Sequence, residues 1–455
     1  MEKLRPDDHF LILLEGDETP IQLGSLVVLD IPDALRVDAA QRLRRHLLDR
    51  LPATPLLRVL RHAPLSFDSD VWVCADHVDF DHHVVIHHSD SPLTDRDLAA
   101  FVERHVMIRL DLSRPPFVVH ILDNVAGGRM AMYVNVHHCV TDGVGFQTLL
   151  GLLSDDLVDE GDPAVGLRCE SQLPSRHDWL AASVRGFREE RPYRSEVDAR
   201  RVGAVTALRD PALQRPATPK LSLSGPTSAN RAYTRITIPF GEMKLIARSF
   251  DATLNDLFLA LVGGAARDYL IQTNDLPTIP LTTNSARSYR RPEHGPFGNR
   301  IVAIHPHLAT HLVDPIERLR SIQDSMVLER RRTVHDEALL NQPETPFGPR
   351  IRRDRFAKHR RSGGTILPGN ITVSNVPGPA HERSYAGLRQ VSNHPTPLLG
   401  SGRPLNFTAR RNADAFDIGL MADPEKIPDI ERIATLFRQS FERYASLSPS
   451  RSQRS

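Results

Sequence analysis

The segment VNVHHCVTDGVGF, residues 134–146, places two histidines and an Asp-Gly pair at the end of an apolar, alternating stretch. If this stretch is a strand, successive side chains point to opposite faces, so His138 shares a face with Val136 and His137 points the other way. An imidazole beside apolar residues can be held neutral near pH 7, as a general base requires. Asp142 could then brace this ring, or it could only cap the helix that follows. No serine or cysteine nucleophile motif is present, so such a base would activate a substrate hydroxyl or amine for acyl transfer.

Other chemistries lack the motifs that they need. No G-x-S-x-G, G-x-x-x-x-G-K-[ST], G-x-G-x-x-G or H-E-x-x-H sequence occurs, which argues against a serine hydrolase, a nucleotide hydrolase, a dinucleotide enzyme and a zincin. Two further histidine pairs, His82-His83 and His87-His88, invite a metal interpretation. Residues four apart on one strand lie about 13 Å apart, too far to share an ion, so packed or solvated histidines are favoured and no metal is expected.

The overall charge gives no reason to expect a nucleic-acid partner. Lys and Arg number 57 against 56 Asp and Glu, a formal net charge of +1, so any anion site must be local. Two arginine-rich segments, 329–337 and 350–361, could bind the phosphates of a cofactor or an anionic membrane surface. A solvated helix face beside a loop is the simpler explanation.

Cysteine content and hydropathy favour a cytoplasmic protein whose membrane contact is at most peripheral. The three cysteines, Cys74, Cys139 and Cys169, are odd in number and lack C-x-x-C spacing, which argues against a disulfide framework and a structural zinc site. The apolar stretch near the start is short and closed by acidic residues, unlike a signal peptide. No run approaches the roughly 20 apolar residues of a membrane-spanning helix.

The length of 455 residues exceeds what one hydrophobic core usually supports, which predicts two halves packed around a cleft. Changes in periodicity and composition predict an N-terminal half over 1–160 and a Pro-, Ser- and Arg-rich linker over 161–228. A C-terminal half follows over 229–447, and a disordered tail over 448–455.

Local signals predict several elements. A Thr-x-x-Asp box and an apolar stripe predict a capped amphipathic helix over 94–105, and Thr253 with Asp256 predicts the start of another helix. NITVSNVPGP alternates like a short strand and ends at Pro377-Gly378, residues that suit the centre of a type II turn.

Several motifs, taken in order, resemble those of one protein family. HHCVTDG matches the HHxxxDG motif of the acyl-CoA-dependent acyltransferase superfamily, which includes chloramphenicol and carnitine acyltransferases and nonribosomal peptide condensation domains. An Asn-Asp pair at Asn255-Asp256, the segment PFGNR with Asn299, and VSNVPGP with Ser374 follow downstream. Along most of its length the chain resembles the bacterial wax ester synthase/diacylglycerol acyltransferase family.

The resemblance implies an α/β fold of two CoA-dependent-acyltransferase-like halves, each a mixed sheet with helices, with an active-site tunnel at their interface. His138 would be the general base, and Asp142 would pair with an arginine of the second half, for which Arg287 is the matching position. Acyl-CoA would be a co-substrate without any further cofactor. The residues implied are His138, Asp142 and Asn255 as catalytic groups, His137, Gly143, Asp256 and Arg287 as supports, and Pro115, Phe117, Asn299 and Ser374 as substrate contacts.

The expected reaction transfers a fatty acyl group to diacylglycerol or a long-chain alcohol, giving triacylglycerol or a wax ester, with peripheral contact to a membrane or lipid droplet. Asn255 and Ser374 are candidate oxyanion donors, while Asp256 could simply complete the capping box of Thr253. Departures leave the acceptor open: the family's Pro-Leu-Trp is Pro-Pro-Phe here, and its Ser-Tyr-x-Gly is replaced at 410–413. The alternatives are a condensation-like transferase acting on a specialised metabolite and a non-catalytic lipid-binding protein.

Overall fold

The computed structural model describes residues 2–66, 68–156, 175, 177–181, 184, 194–340, 348–361 and 368–448. The strands in these ranges are β1 (Glu2–Lys3), β2 (Gln22–Asp30), β3 (Arg58–Arg61), β4 (Val71–Cys74), β5 (Val84–His87), β6 (Phe117–Val125), β7 (Arg129–His137), β8 (Ala232–Pro239), β9 (Thr283–Ser288), β10 (Ile301–Ile304), β11 (Ile371–Val376), β12 (Ser384–Tyr385), β13 (Leu388–Thr396), β14 (Leu405–Asn412) and β15 (Ala415–Ala422). The helices are α1 (Pro6–Leu14), α2 (Ala39–Arg50), α3 (Phe80–His83), α4 (Asp95–His105), α5 (Gly143–Leu152), α6 (Arg194–Ala207), α7 (Phe240–Ser249), α8 (Leu254–Gln272), α9 (Pro315–Leu340), α10 (Gly348–Arg361) and α11 (Ile430–Leu447).

The N-terminal sheet has six strands in the order β12-β13-β2-β7-β6-β5. Nearly the whole of β7 is buried, as expected for a strand that is covered on both faces. Met132, Val134 and Val136 pack with α2 and α5, whereas Ala131 and Tyr133 pack with α4. The predicted alternation along this strand is therefore confirmed.

The C-terminal sheet also has six strands, in the order β10-β9-β11-β14-β15-β8. It is mixed, because β11 runs parallel to β9 and β14 while the remaining pairs are antiparallel. One face is covered by α7, α8, α9 and α11, whose apolar side chains form one core with Ile371, Phe407 and Ile418. The predicted capping box of Thr253 and Asp256 opens α8.

Two strands from the second half, β12 and β13, complete the first sheet. β13 pairs antiparallel with β2, from Arg389 opposite Asp30 to Thr396 opposite Gly24. In the chain this strand lies between β11 and β14, which both belong to the C-terminal sheet. The two halves are therefore joined by backbone hydrogen bonds as well as by side-chain packing.

The predicted helix over 94–105 is confirmed together with its capping box. Two other local predictions are wrong. His82 and His83 lie on the short helix α3 rather than on a strand. Gly378 does not adopt the positive φ of a type II turn. A glycine is needed there because a Cβ would lie 1.9 Å from the carbonyl oxygen of Arg411.

Other predictions fall partly outside the described residues. In the linker predicted over 161–228, most residues before 194 are not described, and in the tail predicted over 448–455 only residue 448 is described. The domain boundaries stay predictions. Cys139 is free and buried, whereas Cys74 is disulfide-bonded, although the number and spacing of the cysteines argued against a disulfide framework. Within the described ranges, none of the helices combines the length and apolar character needed to cross a membrane.

Candidate active site

His138 directly follows β7 and lies where the two halves meet. Its N–H donates to the carbonyl of Ile21 at 2.9 Å, and its carbonyl accepts from Nδ2 of Asn299, in the second half, at 2.7 Å. Its ring atom Nδ1 is buried, and no donor or acceptor of the described residues meets this nitrogen with hydrogen-bond geometry. Burial lowers the pKa of His138 below its usual value, although its own carbonyl and the charge of Asp142 act in the opposite direction. The ring is therefore neutral near pH 7 and can accept a proton.

His137 points away from His138 and anchors the motif to the first half. Its ring is fully buried, with Nδ1 accepting from the N–H of Cys139 at 3.1 Å and Nε2 lying 3.5 Å from Oε1 of Glu15. Burial alone would raise the pKa of Glu15, but hydrogen bonding to His137 and to Arg109 holds that pKa below its usual value. This arrangement fits the supporting role that was predicted for His137.

Asp142 connects α5 with the second half. Its Oδ1 caps the helix by accepting from the N–H of Gly145 at 3.0 Å. Its Oδ2 accepts from Nη2 of Arg290 at 2.7 Å and from the N–H of Arg300 at 3.0 Å. The two interpretations of Asp142 that were open from the sequence, helix cap and brace of the motif, thus occur together.

The arginine that pairs with Asp142 is Arg290, so the prediction of Arg287 was wrong. Arg287 is exposed on β9, opposite Val302 of β10. β9 ends at Ser288, and beyond it the chain turns so that Arg290 reaches α5. Which arginine reaches Asp142 depends on where β9 ends. The sequence SARSYRRP does not reveal that position.

Asn299 holds the backbone of the motif, although a substrate contact was predicted. Besides its bond to the carbonyl of His138, its Nδ2 donates to Oδ1 of Asp8 at 2.8 Å, and its N–H donates to the same oxygen at 2.9 Å. Asp8 is buried on α1, and burial raises its pKa to about 7. An acidic residue in the first turn of a helix is common, so the sequence carried no signal for this contact.

Two glycines of the motif allow the second half to approach closely. A Cβ on Gly143 would lie 2.9 Å from Cγ2 of Val376 on β11. A Cβ on Gly145 would lie 2.4 Å from the carbonyl oxygen of Pro296. Both distances are too short for a side chain, so the first turn of α5 is in direct contact with two segments of the C-terminal half.

The two predicted oxyanion donors lie in different places. Ser374 is on the same face of β11 as Val376, which contacts Gly143, so it faces the N-terminal half. Asn255 is in the first turn of α8, a helix that covers the opposite face of the C-terminal sheet. In the described part of the chain, no hydrogen bond joins Asn255 to His138. The structure brings Ser374 toward the motif and does not bring Asn255 there.

Phe117 begins β6, next to β7, and Pro115 lies two residues before this strand. Phe117 pairs with Val136, and its fully buried ring stacks on His83 with the ring centroids 4.8 Å apart. Pro115 borders a cleft of about 390 Å³ that is also lined by His83 and Arg61. The ring of Phe117 is enclosed by protein, and substrate contacts at both positions stay predictions.

The departure from the family pattern at 410–413 places a cation inside the interface. Arg410 is buried, with Nη1 donating to Oδ1 of Asn393 at 3.0 Å and to Oγ of Ser25 at 3.2 Å. Its guanidinium lies 5.8 Å from the ring centroid of Phe146 on α5. Burial lowers the pKa of Arg410 to about 10, so it stays charged at neutral pH. This residue faces the same interface as His138.

Two family models match the chain, the wax ester synthase/diacylglycerol acyltransferase catalytic domain over residues 4–258 and the WS/DGAT C-terminal domain over 297–444. The chain belongs to the wax ester synthase/diacylglycerol acyltransferase family. A relative from Acinetobacter baylyi, named O-acyltransferase WSD, is 26% identical over 459 residues. That match covers 96% of this chain and 95% of the relative, so the family likeness extends over both halves.

Solved structures show the same fold. The wax ester synthase/diacylglycerol acyltransferase from Marinobacter aquaeolei VT8 matches with a TM-score of 0.68 and 21% identity, covering 98% of this chain and 99% of that one. The first condensation domain of the CDA synthetase matches with a TM-score of 0.58 and 14% identity, covering 98% and 96%. The family and the two-part α/β fold predicted from the motifs are confirmed.

Proposed function

We propose that this chain transfers a fatty acyl group from acyl-CoA to the hydroxyl group of diacylglycerol or a long-chain alcohol. The products are triacylglycerol or a wax ester, and free CoA. Membership of the family and the name of the Acinetobacter relative support an O-acyltransferase. The observation that carries the proposal is the position of His138, a residue with a neutral imidazole whose backbone is hydrogen-bonded to both halves at their interface.

In the proposed reaction Nε2 of His138 is the base, and Nδ1 keeps the ring proton beside the residue's own carbonyl. The hydroxyl group of the acceptor donates to Nε2, and its proton moves there as the oxygen attacks the thioester carbonyl. When the tetrahedral intermediate collapses, the C–S bond breaks and the imidazolium returns the proton to the sulfur of CoA. No bond to the enzyme forms, and general-base catalysis contributes about 10²–10⁴-fold.

The surrounding groups support this role of His138 in two ways. The charge of Asp142 favours the protonated imidazole, which exists only during the reaction. Asn299 and Ile21 hold the backbone on either side, so the ring is positioned before the substrates bind. Both effects lower the barrier without a nucleophilic side chain.

An oxyanion forms on the thioester carbonyl and needs a hydrogen-bond donor. Ser374 is our candidate, because its strand face is directed toward the motif. Asn255 is not retained as a donor, because α8 covers the far side of the C-terminal sheet.

A panel of acceptors tests the proposal. Purified protein is incubated with palmitoyl-CoA and hexadecanol, monooleoylglycerol or dioleoylglycerol, and both free CoA and ester are measured. We expect one CoA released for each ester formed, and only when a lipid alcohol is present. Absence of ester with every acceptor, together with product from a carrier-bound acyl donor and an amine, would instead favour the condensation-like alternative.

A further inference from the structure

Helix α10 presents a cationic stripe to solvent. Arg350, Arg355 and Lys358 are exposed, and Ile351 lies between them with 45% of its surface accessible. Ile351, Arg355 and Lys358 are four and three residues apart, so they follow one side of the helix over about 10 Å. Asp354 is the acidic residue among the exposed side chains of 350–358. This combination of an apolar side chain and surrounding cations defines the outward side of α10.

The inward side of α10 is already bound to the protein. Phe356 contacts Phe10 of α1 edge-to-face, with the ring centroids 6.1 Å apart. Nη2 of Arg352 lies 3.2 Å from Nδ1 of His9, and Nη1 of Arg353 donates to Oγ of Ser66 at 2.9 Å. These contacts fix the orientation of the helix, so the cationic stripe is held outward by packing.

The helix beneath α10 leads directly to the candidate active site. Asp8 of α1 accepts from Asn299, which in turn donates to the carbonyl of His138. On the same helix, Phe10, Leu11 and further aliphatic residues up to Leu14 are only partly buried. Partly exposed apolar side chains of α1 therefore lie beside the helix that carries the cations, and α1 also supports the site.

We propose that the outward side of α10, with the adjoining apolar residues of α1, docks on a phospholipid surface that carries anionic lipid. This inference rests on the proposed function, since the lipid acceptors considered there reside in membranes. Charge complementarity supports it: the whole chain has a net charge of only +1, so the concentration of cations on α10 is a local feature. A stripe along a convex helix suits a flat anionic surface, whereas the phosphates of a nucleotide are usually held by donors that converge in a pocket.

Vesicle sedimentation tests the proposal with the full-length protein. We expect binding to vesicles of equal parts phosphatidylglycerol and phosphatidylcholine, weaker binding as NaCl rises, and little binding to phosphatidylcholine alone. Replacing Arg350, Arg355 and Lys358 together by Gln should lower the partition coefficient by about 100-fold, from about 1 kcal/mol for each cation near the surface. Ile351→Asn should lower it further.

A matched variant separates position from total charge. Arg320, Arg330 and Arg331 are exposed on α9, and replacing these three by Gln removes the same charge elsewhere. This control should bind vesicles like the wild type. Equal losses in both triple variants, equal binding by the α10 variant and the wild type, or no preference of the wild type for anionic vesicles would each overturn the proposal.

Activity in solution distinguishes this inference from the proposed function. With butanoyl-CoA and a water-soluble alcohol, the α10 triple variant should keep the wild-type kcat and KM, while its activity on vesicle-borne dioleoylglycerol falls. A raised KM for acyl-CoA in solution would show that these cations hold the phosphates of CoA, and would overturn docking on lipid. Vesicle binding is measured without turnover, so it stays decisive even if no acyl transfer is found.

Discussion

At the scale of single residues, the pair of Asp142 and Arg290 links the catalytic motif to the second half. Asp142 is fully buried, and Arg290 also donates to the carbonyls of Gly295, Phe297 and Gly298. Removing one partner of a buried pair leaves the other charge without compensation, which costs more than the pair itself contributes. Stability and activity should therefore both depend on Arg290.

Replacing Arg290 by Met should lower the free energy of unfolding by about 3 kcal/mol, because the carboxylate of Asp142 loses its charged partner. Chemical denaturation of the purified variant measures this change. Arg287→Met is the matched control, and its exposed position predicts a change within about 0.5 kcal/mol. Equal destabilisation of the two variants would contradict the pairing of Asp142 with Arg290.

The pH dependence of kcat/KM reports the protonation of His138. Burial lowers its pKa, so the base stays neutral above pH 7 and is lost only as the pH falls through a value below about 6.5. We expect a flat profile from pH 7 to pH 8.5 and a single acidic limb. The limb should persist in Asp8→Asn, which removes a nearby group whose pKa is about 7. A midpoint above pH 7 that disappears in this variant would assign the limb to Asp8 instead.

Among single residues, the base could be predicted from sequence and most of its supports could not. His138 follows from strand alternation and the HHxxxDG motif, both of which are local. Asp8, Glu15 and Arg290 are separated from the motif by more than a hundred residues, and their contacts depend on the tertiary fold. Strand and helix patterns carry no information about such partners.

At the scale of elements, the first turn of α5 is the contact point of the two halves. The N–H of Gly298 donates to the carbonyl of Val140, and Thr141 forms an isolated bridge with Gly298. Gly145 leaves space for the carbonyl of Pro296. The start of α5, residues 138–142 before it and segment 296–300 are thus packed together.

Gly145→Ala should destabilise the protein by about 1–3 kcal/mol and lower kcat, because the new methyl group would lie 2.0 Å from Oγ1 of Thr141 and 2.4 Å from the carbonyl oxygen of Pro296. Both atoms would have to move, and Thr141 directly precedes Asp142. Thermal denaturation and steady-state kinetics measure the two effects. Gly203→Ala on α6 is the control: no atom lies within 4 Å of a Cβ there, and alanine favours the helix by roughly 0.5–1 kcal/mol. An unchanged rate in Gly145→Ala would contradict the role assigned to this contact.

Elements with strong local signals were predictable. α4 and α8 begin at capping boxes that are visible as a threonine followed three residues later by an aspartate. The turn after β11 was not predictable, because Gly378 is required by the nearby backbone of Arg411, which is distant in sequence. A proline followed by a glycine has more than one structural explanation, and only the fold selects between them.

At the scale of the whole molecule, the exchange of β13 makes the halves interdependent. β13 covers the edge of β2 that would otherwise present unpaired backbone groups to solvent. The predicted division at 228 and 229 assigns this strand to the C-terminal half, yet its hydrogen bonds are in the N-terminal sheet. Strand exchange of this kind leaves no trace in local periodicity, so the sequence predicted two halves without it.

Residues 1–228 expressed alone should be insoluble or aggregated, because they lack β12 and β13 and expose the edge of β2. Co-expression with residues 229–455 should restore a soluble complex of the two fragments. Size-exclusion chromatography measures both outcomes. A soluble N-terminal fragment that is monomeric and unfolds cooperatively would contradict the dependence on β13.

The turnover of His138→Ala measures how much the imidazole contributes to acyl transfer. With palmitoyl-CoA and the best acceptor of the panel, kcat should fall by at least about 10²-fold while the thermal midpoint stays close to that of the wild type, because the backbone bonds of this residue to Ile21 and Asn299 are kept. A folded variant that keeps acyl transfer within a few-fold of the wild type would contradict His138 as the general base.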